Sequence, residues 1–178
     1  MHIHGIPFGV EDILFSFLIG GIGSVLYEVL LRKRHRNGMK RLRATLIIIT
    51  FAVISFVILK DMGMNTIWAS SLPLITASIV VILIDRDLRA DWIMSSLLMF
   101  VFIVSLYLIW LTLYPHLFST FWELARLSGK EILGIPVEEL SWFVSWAMFS
   151  GVIYEFFVNA GPYSPLKAKT TLKHRAKI

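Results

Sequence analysis

The sequence has no cysteine among its 178 residues, which excludes disulfides, thiolate catalysis and any cysteine-bound metal, and leaves the redox compartment undecided. Charge is scarce as well: 16% of residues are Asp, Glu, Lys or Arg against 57% hydrophobic, and the mean hydropathy is +0.74. That is more apolar surface than one soluble domain of this size can hide, so the chain reads as an integral membrane protein. No stretch alternates apolar and polar residues over strand lengths. Helices are therefore the spanning elements, because backbone groups in lipid must be paired within the segment or in a closed barrel. The first apolar run lacks a basic n-region before it and a small-residue cleavage site after it, so it reads as a retained span and not a signal peptide.

What is present is organised around two similar stretches, 5–28 (GIPFGVEDILFSFLIGGIGSVLYE) and 134–155 (GIPVEELSWFVSWAMFSGVIYE). Each opens on Gly-Ile-Pro, sets two adjacent acids before an apolar run (Glu11 and Asp12; Glu138 and Glu139) and closes on Tyr-Glu (Tyr27 and Glu28; Tyr154 and Glu155). The first acid and the closing glutamate are 17 residues apart in both. Chance rarely keeps such a register, so the pattern predicts an internal repeat. At 1.5 Å per residue the interval is roughly 25 Å, close to the thickness of a bilayer's hydrocarbon core.

In chain order the pattern predicts a single all-α domain over 1–178 with about five transmembrane helices, at about 10–31, 44–59, 65–84, 92–114 and 137–158. His2 and His4 are given no role, and no metal site is expected. Gly20, Gly21, Gly23 and Ser24 offer a small face for close helix packing. The basic cluster 32–43 follows; beside a membrane helix it is first a cytoplasmic retention signal, and no nucleic-acid motif accompanies it. The second span reads as a lipid-facing wall. Pro73 interrupts the third, with Ser70, Ser71 and Thr76 nearby to satisfy loosened backbone groups. The charged loop 85–91 is expected to pair its acids and arginines at the surface. Trp92, Trp110 and Tyr114 read as interface anchors for the fourth span. Leu117, Phe118, Phe121 and Leu124 predict a short helix on the membrane surface or capping the bundle. A basic tail, 159–178, ends the chain.

Fourteen of the 17 Lys and Arg residues fall on one side of this arrangement, the other side holding Lys60, Arg126 and Lys130. The split predicts an inner-membrane protein with its N-terminus outside and its C-terminus in the cytoplasm. The first and fifth spans then run parallel, with both acid pairs at the outer face and both Tyr-Glu pairs at the inner one. A parallel repeat of this kind can bring the two acid pairs toward each other.

Acids at the edge of hydrocarbon are costly when ionised and are usually kept neutral or paired. A neutral carboxyl is a proton donor, and a neighbouring carboxylate can take a proton back. One carboxyl pair in a first helical turn is also what simple capping produces. The duplication adds what capping does not require: each first acid has an aromatic four residues on, Glu11 with Phe15 and Glu138 with Trp142. Aromatic faces attract positive charge without quenching it as water would. Phe15 and Trp142 as ordinary packing aromatics remain an equal alternative, and Tyr27, Glu28, Tyr154 and Glu155 fit an interfacial role, Glu28 lying one turn from Arg32.

Pro136-Val137-Glu138-Glu139, preceded by Gly134-Ile135 and followed by aromatics, resembles the Pro-x-Glu-Glu/Asp-x-x-Phe signature of the membrane-embedded lycopene cyclase domain of heterodimeric-type carotenoid cyclases. Glu11, Asp12 and Phe15 match the Glu-Asp-x-x-Phe part of it. Trp142 stands where the family has Phe, and Pro7 is two residues too far from Glu11. The resemblance implies cofactor-free, non-redox cyclisation of a carotenoid or other polyisoprenoid end by an intramolecular lyase or isomerase. It makes Glu138, Glu139, Glu11 and Asp12 the catalytic candidates, with Phe15, Trp142, Tyr27, Glu28, Tyr154 and Glu155 as candidate substrate contacts. Membrane lipid, an apolar polyisoprenoid and a paralogous or other membrane subunit are the expected partners. The competing expectation is a non-catalytic subunit of a larger membrane complex, its acids serving as caps or inter-subunit hydrogen-bond partners; a proton or ion carrier is disfavoured by the lack of a polar relay across the spans.

Overall fold

The computed structural model describes residues 2–3, 6–7, 14, 17–18, 21, 35–36, 41–121, 127–159 and 161–162. The first span is thus represented by Leu14, Phe17, Leu18 and Gly21, all helical and all exposed; Glu11, Asp12, Phe15, Tyr27, Glu28 and the basic tail from residue 163 lie outside the described residues.

Among the described residues four helices are long and apolar enough to cross a bilayer, in an all-α membrane protein. They are α1 (Leu42–Asp61), α2 (Thr66–Ile84), α3 (Arg89–Leu113) and, after the five-residue α4 (Leu117–Phe121), α5 (Val137–Phe157). Their most apolar stretches have mean hydropathies of 2.5, 2.2, 2.4 and 1.2 in chain order. The least apolar is also the most enclosed: half of the α5 stretch is buried, against 17% for α1. α5 is the centre of the described bundle, packed between α2 and α3, while α1 lies on the outer side of α2.

One end of the bundle is tied by Arg41. Its backbone N–H donates to the Phe157 carbonyl at 2.8 Å, its guanidinium pairs with Asp85 at 2.8 Å, and the same group lies 5.1 Å over the Phe156 ring. The start of α1 and the ends of α2 and α5 therefore share this face, so α2 and α5 run parallel. His35–Arg36 pairs antiparallel with Gly161–Pro162 beside it. Charge repulsion among the loop's residues is relieved here less simply than surface pairing predicts. Asp85 reaches across to α1, and Asp91 is buried, because α3 begins at Arg89 and turns Asp91 inward with Ser95 one turn on.

Small residues let the helices approach. Ala69, Ser71, Ala77 and Ser78 of α2 and Ser145, Ala147 and Gly151 of α5 are all buried. Trp92 is half-buried, and its indole N–H donates to Ser78 Oγ at 2.9 Å, joining α3 to α2. Trp110 and Tyr114 do face outward. α2 continues through Pro73, where Thr76 Oγ1 donates to the Leu72 and Pro73 carbonyls at 2.9 and 3.0 Å. Leu117 and Phe118 of α4 are buried, so this helix caps the bundle instead of lying on the membrane surface.

Three short antiparallel strand pairs, one of them between distant segments, carry no signal in the sequence pattern. The one entering α5 joins Glu131–Ile132 to Ile135–Pro136 through Leu133 and Gly134, whose φ angles of 56° and 78° are both positive, as a two-residue type I′ hairpin requires. His2–Ile3 pairs antiparallel with Ile6–Pro7. Both Ile-Pro dipeptides thus form the second strand of an antiparallel pair in the same register, Ile3 opposite Ile6 and Ile132 opposite Ile135.

Candidate active site

The end of the bundle opposite Arg41 gathers the start of α5, the hairpin, α4 and the last turns of α3. Gly134 permits the turn, Ile135 buries beneath it, and the Val137 N–H donates to the Lys130 carbonyl at 3.0 Å, so the hairpin runs straight into the helix. Glu138 and Glu139 then fall in the first turn of α5, where the helix dipole favours negative charge.

Both carboxyl groups point into protein. Glu138 is 1% exposed; its Oε1 accepts the Ser128 N–H at 2.6 Å, and its Oε2 is buried with no hydrogen-bond partner among the described residues. Glu139 is also buried, and its Oε2 accepts the hydroxyl of Tyr107 at 2.9 Å. These partners lie 10 and 32 positions away, on a loop and on another helix, which goes beyond capping of α5 by its own first-turn acids.

Aromatic rings surround the acids. Tyr107 is 7% exposed and packs 5.1 Å from Phe118 and, edge-on, 6.2 Å from Phe143. Trp142 is half-buried and meets Phe143 edge-on at 5.0 Å and Trp146 at 6.1 Å. Ring edges toward ring faces suit aromatic quadrupoles, and the exposed faces are electron-rich.

Of the residues expected at this site, Glu138, Glu139 and Trp142 come together on α5. Tyr154 and Glu155 do not join them: at 1.5 Å per residue they sit roughly 24 Å away at the Arg41 end. They also part from each other, Tyr154 being 59% exposed and Glu155 4%. Tyr107 and Ser128 were not foreseen. The available signal for Tyr107 was its depth, well inside the fourth apolar run and past the interface positions of Trp110 and Tyr114, where a buried phenol needs a partner. The approach of the two acid pairs that a parallel repeat allows involves Glu11 and Asp12, which lie outside the described residues. A lipid-facing groove of about 280 Å³ lies elsewhere, between α1 and α2, lined by residues including Phe51, Ile58, Leu72 and Pro73. Among the described residues no group of three or more His, Cys, Asp or Glu side chains is arranged to hold a metal ion.

Comparison with known proteins adds one positive result. The sequence model of the lycopene cyclase family matches residues 65–157, just over half of the chain. The matched region takes in α2, α3, α4, the hairpin and α5, and so includes the acid pair, while the 5–28 stretch falls outside it. No curated protein and no solved structure matches the chain. On that match across the central helix and its two packing partners, the chain belongs to the lycopene cyclase family.

Proposed function

We propose that this membrane protein closes the end of a linear carotenoid, or of a similar polyisoprenoid, into a six-membered ring by acid-initiated, non-redox chemistry. The observation that carries the reading is the pair of adjacent, buried carboxyl groups at the start of α5, one of them with an oxygen that has no partner among the described residues. An acid adds a proton to the terminal double bond, the resulting cation is captured by a neighbouring double bond of the same chain, and a base removes a proton from the ring. Atoms and electrons are conserved, so no cofactor is required by the chemistry. Glu138 and Glu139 are the acid and base, with Glu11 and Asp12 as their counterparts in the first copy. Trp142 and Phe15 offer aromatic faces to the cation. Burial within rings and away from water is what such a cation needs to survive until ring closure.

The reading also includes five spans, an N-terminus outside the cell membrane, a basic tail in the cytoplasm and an acid pair near the outer face. Matching strand pairings of the Ile-Pro dipeptides that open both copies support the internal repeat. Expression in cells that accumulate lycopene, alone and beside a neighbouring paralogue, tests the function by pigment chromatography. A new cyclised product is expected. Unchanged lycopene under both conditions would leave a membrane scaffold whose acids hold loops and helices together.

A further inference from the structure

The two carboxyl groups are adjacent in sequence yet sit in chemically different settings. We infer that Tyr107 is a positioning residue that holds Glu139 as the proton acceptor, leaving Oε2 of Glu138 as the donor oxygen. This division of roles rests on the ring-closing reading above.

A backbone N–H can only donate, so Oε1 of Glu138, which accepts from Ser128 at 2.6 Å, is the carbonyl-like oxygen of that group. A proton carried by Glu138 therefore belongs on Oε2. That oxygen is buried and has no partner among the described residues to compete for the proton. Glu139 differs in its partner, since its Oε2 accepts from a side chain on another helix, the Tyr107 hydroxyl at 2.9 Å, and this bond fixes where the accepting carboxylate sits. The hydroxyl is fixed from outside α5. Tyr107 belongs to α3, and its ring is clamped between Phe118 of α4 and Phe143 of α5.

The step balances with these roles. The O–H bond at Glu138 Oε2 breaks as a C–H bond forms at the terminal double bond, and the neighbouring double bond closes the ring onto the cationic carbon. A C–H bond beside the new cationic centre then breaks, its electrons become the ring double bond, and the proton goes to the Glu139 carboxylate. Return of that proton to Glu138 resets the pair. More than one C–H bond flanks the cation, so the position of the base decides which double-bond isomer of the ring is made. A positioning role for Tyr107 is therefore written in the isomer ratio and not only in the yield.

Tyr107→Phe removes the hydroxyl and keeps the ring. In lycopene-accumulating cells it is expected to lower total cyclised product about 10-fold, within what a misplaced general base costs, and to change the isomer ratio. Phe118→Leu loosens one side of the ring clamp but keeps the hydroxyl, and is expected to shift the ratio in the same direction as Tyr107→Phe by a smaller amount. Identical ratios in wild type and Tyr107→Phe would overturn the inference. A second readout does not depend on turnover: a hydrophobic carbodiimide modifies protonated carboxyl groups, and mass spectrometry locates the adduct. Modification of Glu138 over Glu139 in wild type, with Glu139 becoming reactive in Tyr107→Phe, is expected. Equal modification of both in both proteins would overturn the division of roles. Absence of any cyclised product from wild type would remove the ring-closing reading, and the labelling pattern would then decide the division of roles by itself.

Discussion

Glu138→Gln separates chemistry from architecture at this site. Glutamine keeps a carbonyl oxygen where Oε1 accepts from Ser128, so the tie to the loop survives. Its amide nitrogen takes the position of Oε2, an atom already without a partner among the described residues. One unpartnered buried atom replaces another, and an ionisable group gives way to a neutral one that costs less to bury. The expected change in stability is within about 1 kcal/mol. The amide has no carboxyl proton to give, however, and a general acid contributes about 10²–10⁴-fold to rate, or about 3–5 kcal/mol of barrier. Glu138→Leu serves as the contrast: it removes the acceptor of the Ser128 N–H, a hydrogen bond worth about 0.5–1.5 kcal/mol. The assay pairs pigment chromatography with thermal unfolding in detergent. Glu138→Gln should fold like wild type and lose at least 100-fold of the cyclised product, by the lower bound for a general acid. Retention of more than about a third of the product would refute the assignment, since an acid contributing so little falls outside that range. Loss of the fold in the glutamine variant would instead make Glu138 a structural tie.

Three other outcomes follow from the packing and the charges. Ser78→Ala removes the acceptor of the Trp92 indole N–H and should cost about 1 kcal/mol, seen as a lower unfolding midpoint; interhelical hydrogen bonds in membranes average about 0.6 kcal/mol. Ala147→Leu enlarges a fully buried position in the cluster with Met99 and Ile103, and overpacking there should cost about 1–3 kcal/mol in the same measurement. The lack of cysteine makes orientation directly measurable. A membrane-impermeant maleimide should label Lys130→Cys in intact cells and Arg89→Cys only after permeabilisation, and the reverse pattern would invert the topology.

The apolar runs made the helices legible, because about 20 apolar residues in water-free surroundings leave the backbone little choice. Pro136, Glu138 and Glu139 marked the start of α5 for the same reason that prolines and acids mark any helix entrance. Which side of each helix faces inward was much less legible. Lipid is as apolar as a protein core, so Leu, Ile and Phe occur on both sides and the usual amphipathic signal fades. Tyr107 and the burial of Asp91 were passed over on that account, each being decided by the face that α3 turns toward its neighbours. A better guide was present in the small residues, since Ala69, Ala77, Ser78, Ser145 and Ala147 trace the buried faces. The hairpin before α5 was hidden by Leu133, which occupies a left-handed position that sequence normally announces with Asn or Gly.

The helix that unites the described bundle is also the last of them to be synthesised. When α3 leaves the ribosome, the inward faces of α2 and α3 have no α5 to meet, and at about 5–20 residues per second that interval lasts on the order of a few seconds. Buried hydroxyls such as Ser71 and Ser95 then face lipid or one another. Assembly is thus a late event in the life of the nascent chain, and a polypeptide arrested before residue 137 would enter the membrane as loosely associated helices, open to the cell's quality-control proteases.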